Sequence, residues 1–174
     1  MKIVLLGYMA SGKSTIGSVL AEKMQLPFID LDAFIEEKEE MSVSDVFKSK
    51  GEIYFRKQEH LYLKELLNAE GSFVLSLGGG TPCYAGNMDV LQSFESVVSI
   101  YLKTSIDTIV NRLLNEKSQR PLVANLKEEE LTEFIAKHLF ERSYYYNQAT
   151  YKLIVDNKTV EETVKDLLLI LDKQ

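Results

Sequence analysis

The octapeptide Gly7-Tyr8-Met9-Ala10-Ser11-Gly12-Lys13-Ser14 constrains this chain more than any other feature. It has the G-x-x-x-x-G-K-[ST] spacing of a loop that curls the backbone around phosphate oxygens. The flanking sequence has the matching pattern, an apolar strand over 2–6 and an amphipathic helix over 14–24. In such a unit the glycines let successive N–H groups converge on an anion, and the helix N-terminus adds partial positive charge. Gly7, Ala10, Ser11, Gly12, Lys13, Ser14 and Thr15 are therefore the candidate phosphate-binding residues. Lys13 is expected on the β- and γ-phosphates, and the Ser14 hydroxyl on Mg²⁺. The ligand this loop predicts is a nucleoside triphosphate.

The rest of the chain repeats the same alternation. Apolar runs at 3–6, 28–31, 73–77, 97–102 and 153–155 read as strands. Amphipathic stretches at 14–24, 33–40, 53–68, 106–116, 129–145 and 160–171 read as helices. Several of the runs are continuous rather than alternating, as strands covered on both faces should be. Strands and helices in turn predict an α/β fold with a mostly parallel sheet.

Composition narrows the function classes. A chain of 174 residues, 45% hydrophobic and 26% charged, fits one soluble domain. No apolar run approaches the roughly 18 residues that a membrane span needs. The net charge of −6 argues against nonspecific nucleic-acid or membrane binding, both of which favour a basic surface. Cys83 is the single cysteine, which excludes an intramolecular disulfide and suits a reducing cytoplasm. His60 and His138 show no metal-ligand spacing with it, so the expected metal is a hard cation accompanying the nucleotide. Asn157-Lys158-Thr159 has the form of a glycosylation sequon and is read as coincidence. Nothing calls for an obligate interface, and a monomer is expected.

Three further segments bear on the phosphate acceptor. Asp30-Leu31-Asp32 ends the second predicted strand, and ligands in open α/β sheets sit beyond the carboxyl ends of strands. Strand alternation would point Asp30 and Asp32 the same way, although Asp32 also suits the cap of a helix starting near Ala33. In Gly51-Glu52-Ile53-Tyr54-Phe55-Arg56-Lys57-Gln58-Glu59, Arg56 and Glu59 share a helix face. A carboxylate that holds a guanidinium there makes a fork for a substrate carboxylate; an ordinary exposed ion pair is the plainer alternative. Leu77-Gly78-Gly79-Gly80 follows the third strand and lets main-chain N–H groups approach a ligand, or simply forms a tight loop. The acidic run Glu36-Glu37-Lys38-Glu39-Glu40 reads as a solvated helix end rather than a metal site.

In this order the motifs resemble those of the shikimate kinase family, within the nucleoside-monophosphate-kinase-like group, from Lys2 to the last helix. The resemblance implies a single domain over 1–174 with a three-layer α/β/α P-loop fold and a five-stranded parallel sheet. An acceptor-binding helical segment at about 32–60 and a mobile lid at about 113–126 come with it. The implied reaction moves the γ-phosphate of ATP to the 3-hydroxyl of shikimate, in aromatic amino-acid biosynthesis. On that resemblance Asp30 joins Ser14 at the Mg²⁺, and Asp32 binds the acceptor hydroxyls and orients or deprotonates the attacking one. Arg56, held by Glu59, and Arg142 take the acceptor carboxylate, with Gly78, Gly79 and Gly80 also in contact. Arg120, in the lid, closes over the phosphates beside Lys13. Arg112 and Lys158 flank the adenine, with a surface helix residue and a loop lysine as their alternatives. His60, His138 and Tyr144 to Tyr146 are assigned to packing or surface, and Cys83 receives no catalytic role.

The chain departs from the family pattern at two places. Ala10 stands where many members have glycine, which is tolerable if its φ is negative. Thr81-Pro82-Cys83 is less typical and bears on the shape of the acceptor pocket. A gluconate-type kinase and a nucleotide-binding regulator that has lost catalysis are the alternative readings.

Overall fold

Five strands form one parallel sheet in the order β2-β3-β1-β4-β5, where β1 is Lys2–Leu6, β2 Phe28–Asp30, β3 Phe73–Ser76, β4 Val97–Lys103 and β5 Tyr151–Ile154. The computed structural model describes residues 1–115 and 127–172. Arg120 and the lid segment from 116 onward fall outside them, while residues 113–115 are the last turn of a helix.

All five residues of β1 are buried, which explains the unbroken apolar run. The pleat sends Ile3 and Leu5 to one face and Val4 and Leu6 to the other. The first face is covered by α1 (Lys13–Met24) and α7 (Val160–Leu171) through Ile16, Leu20, Val164, Leu167 and Leu171. The second is covered by α2 (Leu31–Glu39), α3 (Val43–Asn68), α4 (Asn87–Ser93), α5 (Ile106–Asn115) and α6 (Glu128–Tyr146). Two helical layers around a parallel sheet are what continuous apolar strands require. Lys2 pairs in register with Phe73 on one side and Val97 on the other, so β1 lies at the centre.

The helices differ from expectation mainly at their beginnings. Residues 43–50, absent from the predicted helices, are helical, capped by the Ser42 hydroxyl on the Asp45 N–H. Gly51, at φ 83° and ψ 168°, breaks α3 in two and lets its halves diverge. Asn87–Ser93 is a second helix that the periodicity did not reveal, being only seven residues long. Glu39 overturns part of the solvated reading of the acidic run. Its side chain is 5% exposed and accepts from Lys50 Nζ (2.8 Å), Tyr54 Oη (2.9 Å) and Tyr62 Oη (2.8 Å), fastening α2 across the break in α3.

Gly17 sets how closely α1 sits on the sheet. A Cβ there would lie 2.6 Å from Phe28 Cε2 and 3.1 Å from Leu5 Cδ1. Gly17→Val is expected to destabilise the fold by about 2–3 kcal/mol through overpacking, measured as a lowered urea midpoint. An unchanged midpoint would show that α1 is free to lift off the sheet.

Candidate active site

The carboxyl ends of β2, β3 and β1 open side by side into a cleft of about 550 Å³. β1 runs directly into the loop Gly7–Gly12, and α1 starts at Lys13. Gly12, at φ 90°, makes the turn into the helix in a conformation that disfavours side chains. Among the described residues no side chain caps α1 and no acid occupies its first turn, so its N–H groups and positive end face the cleft unopposed. Lys13 is tucked beneath the loop, its Nζ 2.9 Å from the carbonyls of both Gly7 and Tyr8. Ala10, Gly12, Lys13, Ser14 and Thr15 line the cleft, whereas Ser11 is wholly buried behind it.

β2 ends at Asp30, and α2 begins at the next residue. Asp30 is the helix cap: its Oδ1 accepts from the N–H groups of Asp32 and Ala33. Its Oδ2 accepts from Ser14 Oγ at 2.7 Å, joining the acidic strand end to the phosphate loop. Asp32 thus sits in the first turn of α2 rather than on the strand, and both the alternation argument and its own capping reading are corrected. It still reaches the cleft, against Gly78. Burial, reinforced by the carboxylates of Asp30 and Glu59 and opposed by Lys13, pushes its carboxyl up to about 6.

The glycine turn after β3 lies against the guanidinium groups of Arg56 and Arg142. A Cβ on Gly80 would meet Arg56 Nη2 at 2.8 Å, and one on Gly79 would meet Arg142 Nη1 at 3.5 Å. The turn is therefore bare where the guanidinium groups press on it. Arg56 Nη1 donates to Glu59 Oε2 at 2.9 Å, and Glu59 is 1% exposed. This is a buried, oriented pair and not the exposed one that stood as the alternative. The Arg56 guanidinium also lies 4.0 Å from the Tyr84 ring centre, with Phe55 and Phe47 behind it. Arg142, on α6, lies 5.4 Å over the Tyr8 ring.

At the other end, Arg112 donates from Nη1 to the Ala10 carbonyl at 2.8 Å and lines the cleft, so it is more than a surface helix residue. Lys158 lines the same wall and pairs with Asp166 at 2.7 Å. Val155, Val160 and Thr163 complete that end.

The comparisons with known proteins agree with this geometry. A sequence model described as shikimate kinase matches residues 9–172. The chain belongs to the shikimate kinase family. The shikimate kinase of Flavobacterium johnsoniae is 56% identical over 170 residues, 98% of each chain. A solved shikimate kinase from Bacteroides thetaiotaomicron is 35% identical, with a TM-score of 0.91 over 99% of this chain and 98% of that one. A second, from Acinetobacter baumannii in complex with shikimate, is 29% identical with a TM-score of 0.86, covering 99% and 94%.

Against the shikimate kinase pattern, Ala10 is the clear surprise. Its φ is 59°, so the negative value that would make a methyl group easy is not what the loop adopts. Left-handed backbone costs a non-glycine residue roughly 1–2 kcal/mol, which the surrounding loop must offset. Several site residues carried no sequence signal of their own. Tyr8 supplies the ring under Arg142 and bonds His138 Nδ1 at 3.2 Å, while Tyr84 faces Arg56. Tyr146, read as packing, is fully buried and donates to the Gly79 carbonyl at 2.6 Å. Cys83 is half-buried, and burial pushes its thiol up to about 11.

Tyr146→Phe leaves the Gly79 carbonyl without that donor. It is expected to cost about 1–2 kcal/mol of stability, read by urea unfolding, and to weaken acceptor binding with it. Unchanged values for both would show that the turn holds its shape without the hydroxyl.

Proposed function

We propose that this chain is an ATP-dependent kinase that phosphorylates the 3-hydroxyl of shikimate, giving shikimate 3-phosphate and ADP. The observation that carries the reading is the pairing of a phosphate loop with two guanidinium groups across a bare glycine turn. One side suits a triphosphate; the other suits a small hydroxylated carboxylate.

In this reading the N–H groups of the loop and the start of α1 hold the β- and γ-phosphates, and Lys13 neutralises charge that builds on the transferring group. Ser14 and Asp30 offer oxygen donors already 2.7 Å apart, the donor chemistry that a hard cation prefers. Among the described residues no group of three or more His, Cys, Asp and Glu could hold a metal ion by itself. Bound at Ser14 and Asp30, Mg²⁺ would supply charge neutralisation for the phosphates. Arg56, set by Glu59, and Arg142 bind the acceptor carboxylate, with Gly78, Gly79 and Gly80 providing close backbone approach. That orients a hydroxyl toward Asp32, which accepts its proton as the oxygen attacks. Arg112 and Lys158 flank the base, and Arg120 is assigned to the phosphates. The same reading makes the protein a cytoplasmic monomer over a single domain, and no helix among the described residues is long and apolar enough to cross a membrane.

A coupled ATP-turnover assay offering shikimate, gluconate and nucleoside monophosphates in turn tests the assignment. Turnover with shikimate alone is expected; gluconate turnover without it would sink the reading. Arg56→Ala should raise the acceptor KM and leave that of ATP unchanged.

Asp32 gives a two-sided prediction. Its folded pKa lies above the ordinary 3.8, so its ionisation costs stability at neutral pH, and that cost vanishes as pH falls below the unfolded value. Asp32→Asn is expected to raise stability at pH 7.5 by about 2–3 kcal/mol, with the gain gone by about pH 3. The same variant should lose roughly 100-fold or more in kcat while retaining ATP affinity. In the parent enzyme kcat/KM for the acceptor should fall on the acid side of pH about 6. An Asn variant that is less stable at pH 7.5, or that no longer binds ATP, contradicts these roles.

A further inference from the structure

Glu59 has two carboxylate oxygens, and only one of them faces Arg56. Oε2 accepts from Arg56 Nη1, while Oε1 accepts from Thr81 Oγ1 at 2.6 Å. Thr81 is fully buried, as is Asn87, and Glu59 nearly so. A carboxylate is an acceptor only, so the Thr81 hydroxyl must donate here. The threonine is itself fastened from the other side: its carbonyl accepts from Asn87 Nδ2 at 2.8 Å, and Asn87 Oδ1 meets His60 Nδ1 at 2.8 Å. Successive residues of α3, Glu59 and His60, thus grip one turn through Thr81 and Asn87.

This arrangement bears on what Arg56 can offer. Arginine and carboxylate pair most strongly as two parallel forks, and a buried carboxylate with no other donor is driven to take both. Because Thr81 occupies Oε1, Glu59 orients the guanidinium through Nη1 to Oε2. Arg56 Nη2 and, slightly farther off, Nη1 lie against Gly80, on the turn that also carries Gly79 and faces Arg142, while Nε lies 3.6 Å from Glu52 Oε1. The Tyr84 ring, 4.0 Å away, holds the plane of the group.

We propose that Thr81 is a positioning residue for acceptor binding: its hydroxyl engages one oxygen of Glu59 and so keeps the second edge of Arg56 for the substrate carboxylate. The proposal rests on the acceptor reading given above. It also gives the atypical Thr81-Pro82-Cys83 segment a role, since the hydroxyl comes from its first residue. Alanine or valine at this position would supply no donor, while serine would.

The test is steady-state kinetics on Thr81→Val and Thr81→Ser, in the parent and in an Arg56→Ala background, with thermal unfolding followed in parallel. Thr81→Val should raise the shikimate KM by about 5- to 30-fold, with the ATP KM unchanged, as expected for an unpaired buried acceptor that captures its neighbour. Thr81→Ser should stay within about 2-fold of the parent, since it keeps the donor. In the Arg56→Ala background the valine substitution should add nothing further to the acceptor KM. A lower Tm with an unchanged shikimate KM would make Thr81 merely structural and overturn the proposal. So would equal rises in both KM values, a serine variant as impaired as valine, or full additivity with Arg56→Ala. Should the valine variant fail to fold, Thr81→Ala against Thr81→Ser reads the same difference, and a serine variant that also fails to fold counts against the proposal. A parent enzyme inactive on shikimate, or an Arg56→Ala variant with normal acceptor KM, would instead refute the underlying assignment.

Discussion

Parallel pairing of β2 with β3 and of β3 with β1 places three strand ends next to one another, all pointing the same way. The phosphate loop, the Asp30–Asp32 corner and the glycine turn are simply what each strand becomes on leaving the sheet. Their spacing is therefore set by a hydrogen-bonded ladder of strands roughly 4.8 Å apart and not by the loops themselves. Burial of every β1 residue anchors that ladder, because a slip of one residue would turn Ile3 and Leu5 into the wrong layer. A short polar network can be relied on for chemistry because an apolar sheet fixes where its members start.

On that frame the protein assembles charge that would not gather by itself. Burial, and after it the nearby carboxylates of Asp30 and Glu59, hold the Asp32 carboxyl above its ordinary pKa. The cations are kept apart in space. Lys13 lies under the loop, and Arg56 and Arg142 lie on the far side of the glycine turn, each supported by an aromatic ring. Burial that weakens a carboxylate's hold on charge also readies it to accept a proton near neutral pH. Under the proposed function, the stability given up at Asp32 serves a base that carries its charge reluctantly, the usual compromise at active sites.

Much of this was legible in the sequence because it rests on local rules. All five strands appear as apolar runs, unbroken in β1 and β3 because both faces are buried, while the partly buried β2 and β5 show only short runs. The phosphate loop is read from its spacing between a strand and a helix, and Arg56–Glu59 from helical spacing together with the family resemblance. What failed was geometry at boundaries. Asp30 and Asp32 were placed on one strand, whereas the chain turns helical between them, so capping replaced alternation. Residues 43–50 and 87–93 escaped because each helix is short and the first ends at a break. The S-x-x-D capping pattern at Ser42 was the available signal for the former. Tyr8, Tyr84 and Tyr146 were invisible as site residues: their partners lie far away in sequence, and only packing brings the first two rings to a guanidinium and the Tyr146 hydroxyl to the Gly79 carbonyl.

The break at Gly51 is a different kind of constraint from the crowding at Gly17 or Gly80. An added Cβ at Gly51 would meet nothing within 4 Å, so there is ample room for a side chain. What the position refuses is handedness, because φ 83° with ψ 168° lies in a region essentially closed to L-residues. Mirror-image chemistry would pass where natural substitution fails: a D-alanine introduced by chemical synthesis would keep the bend, and with it the ring of Phe47 against Phe55 behind Arg56.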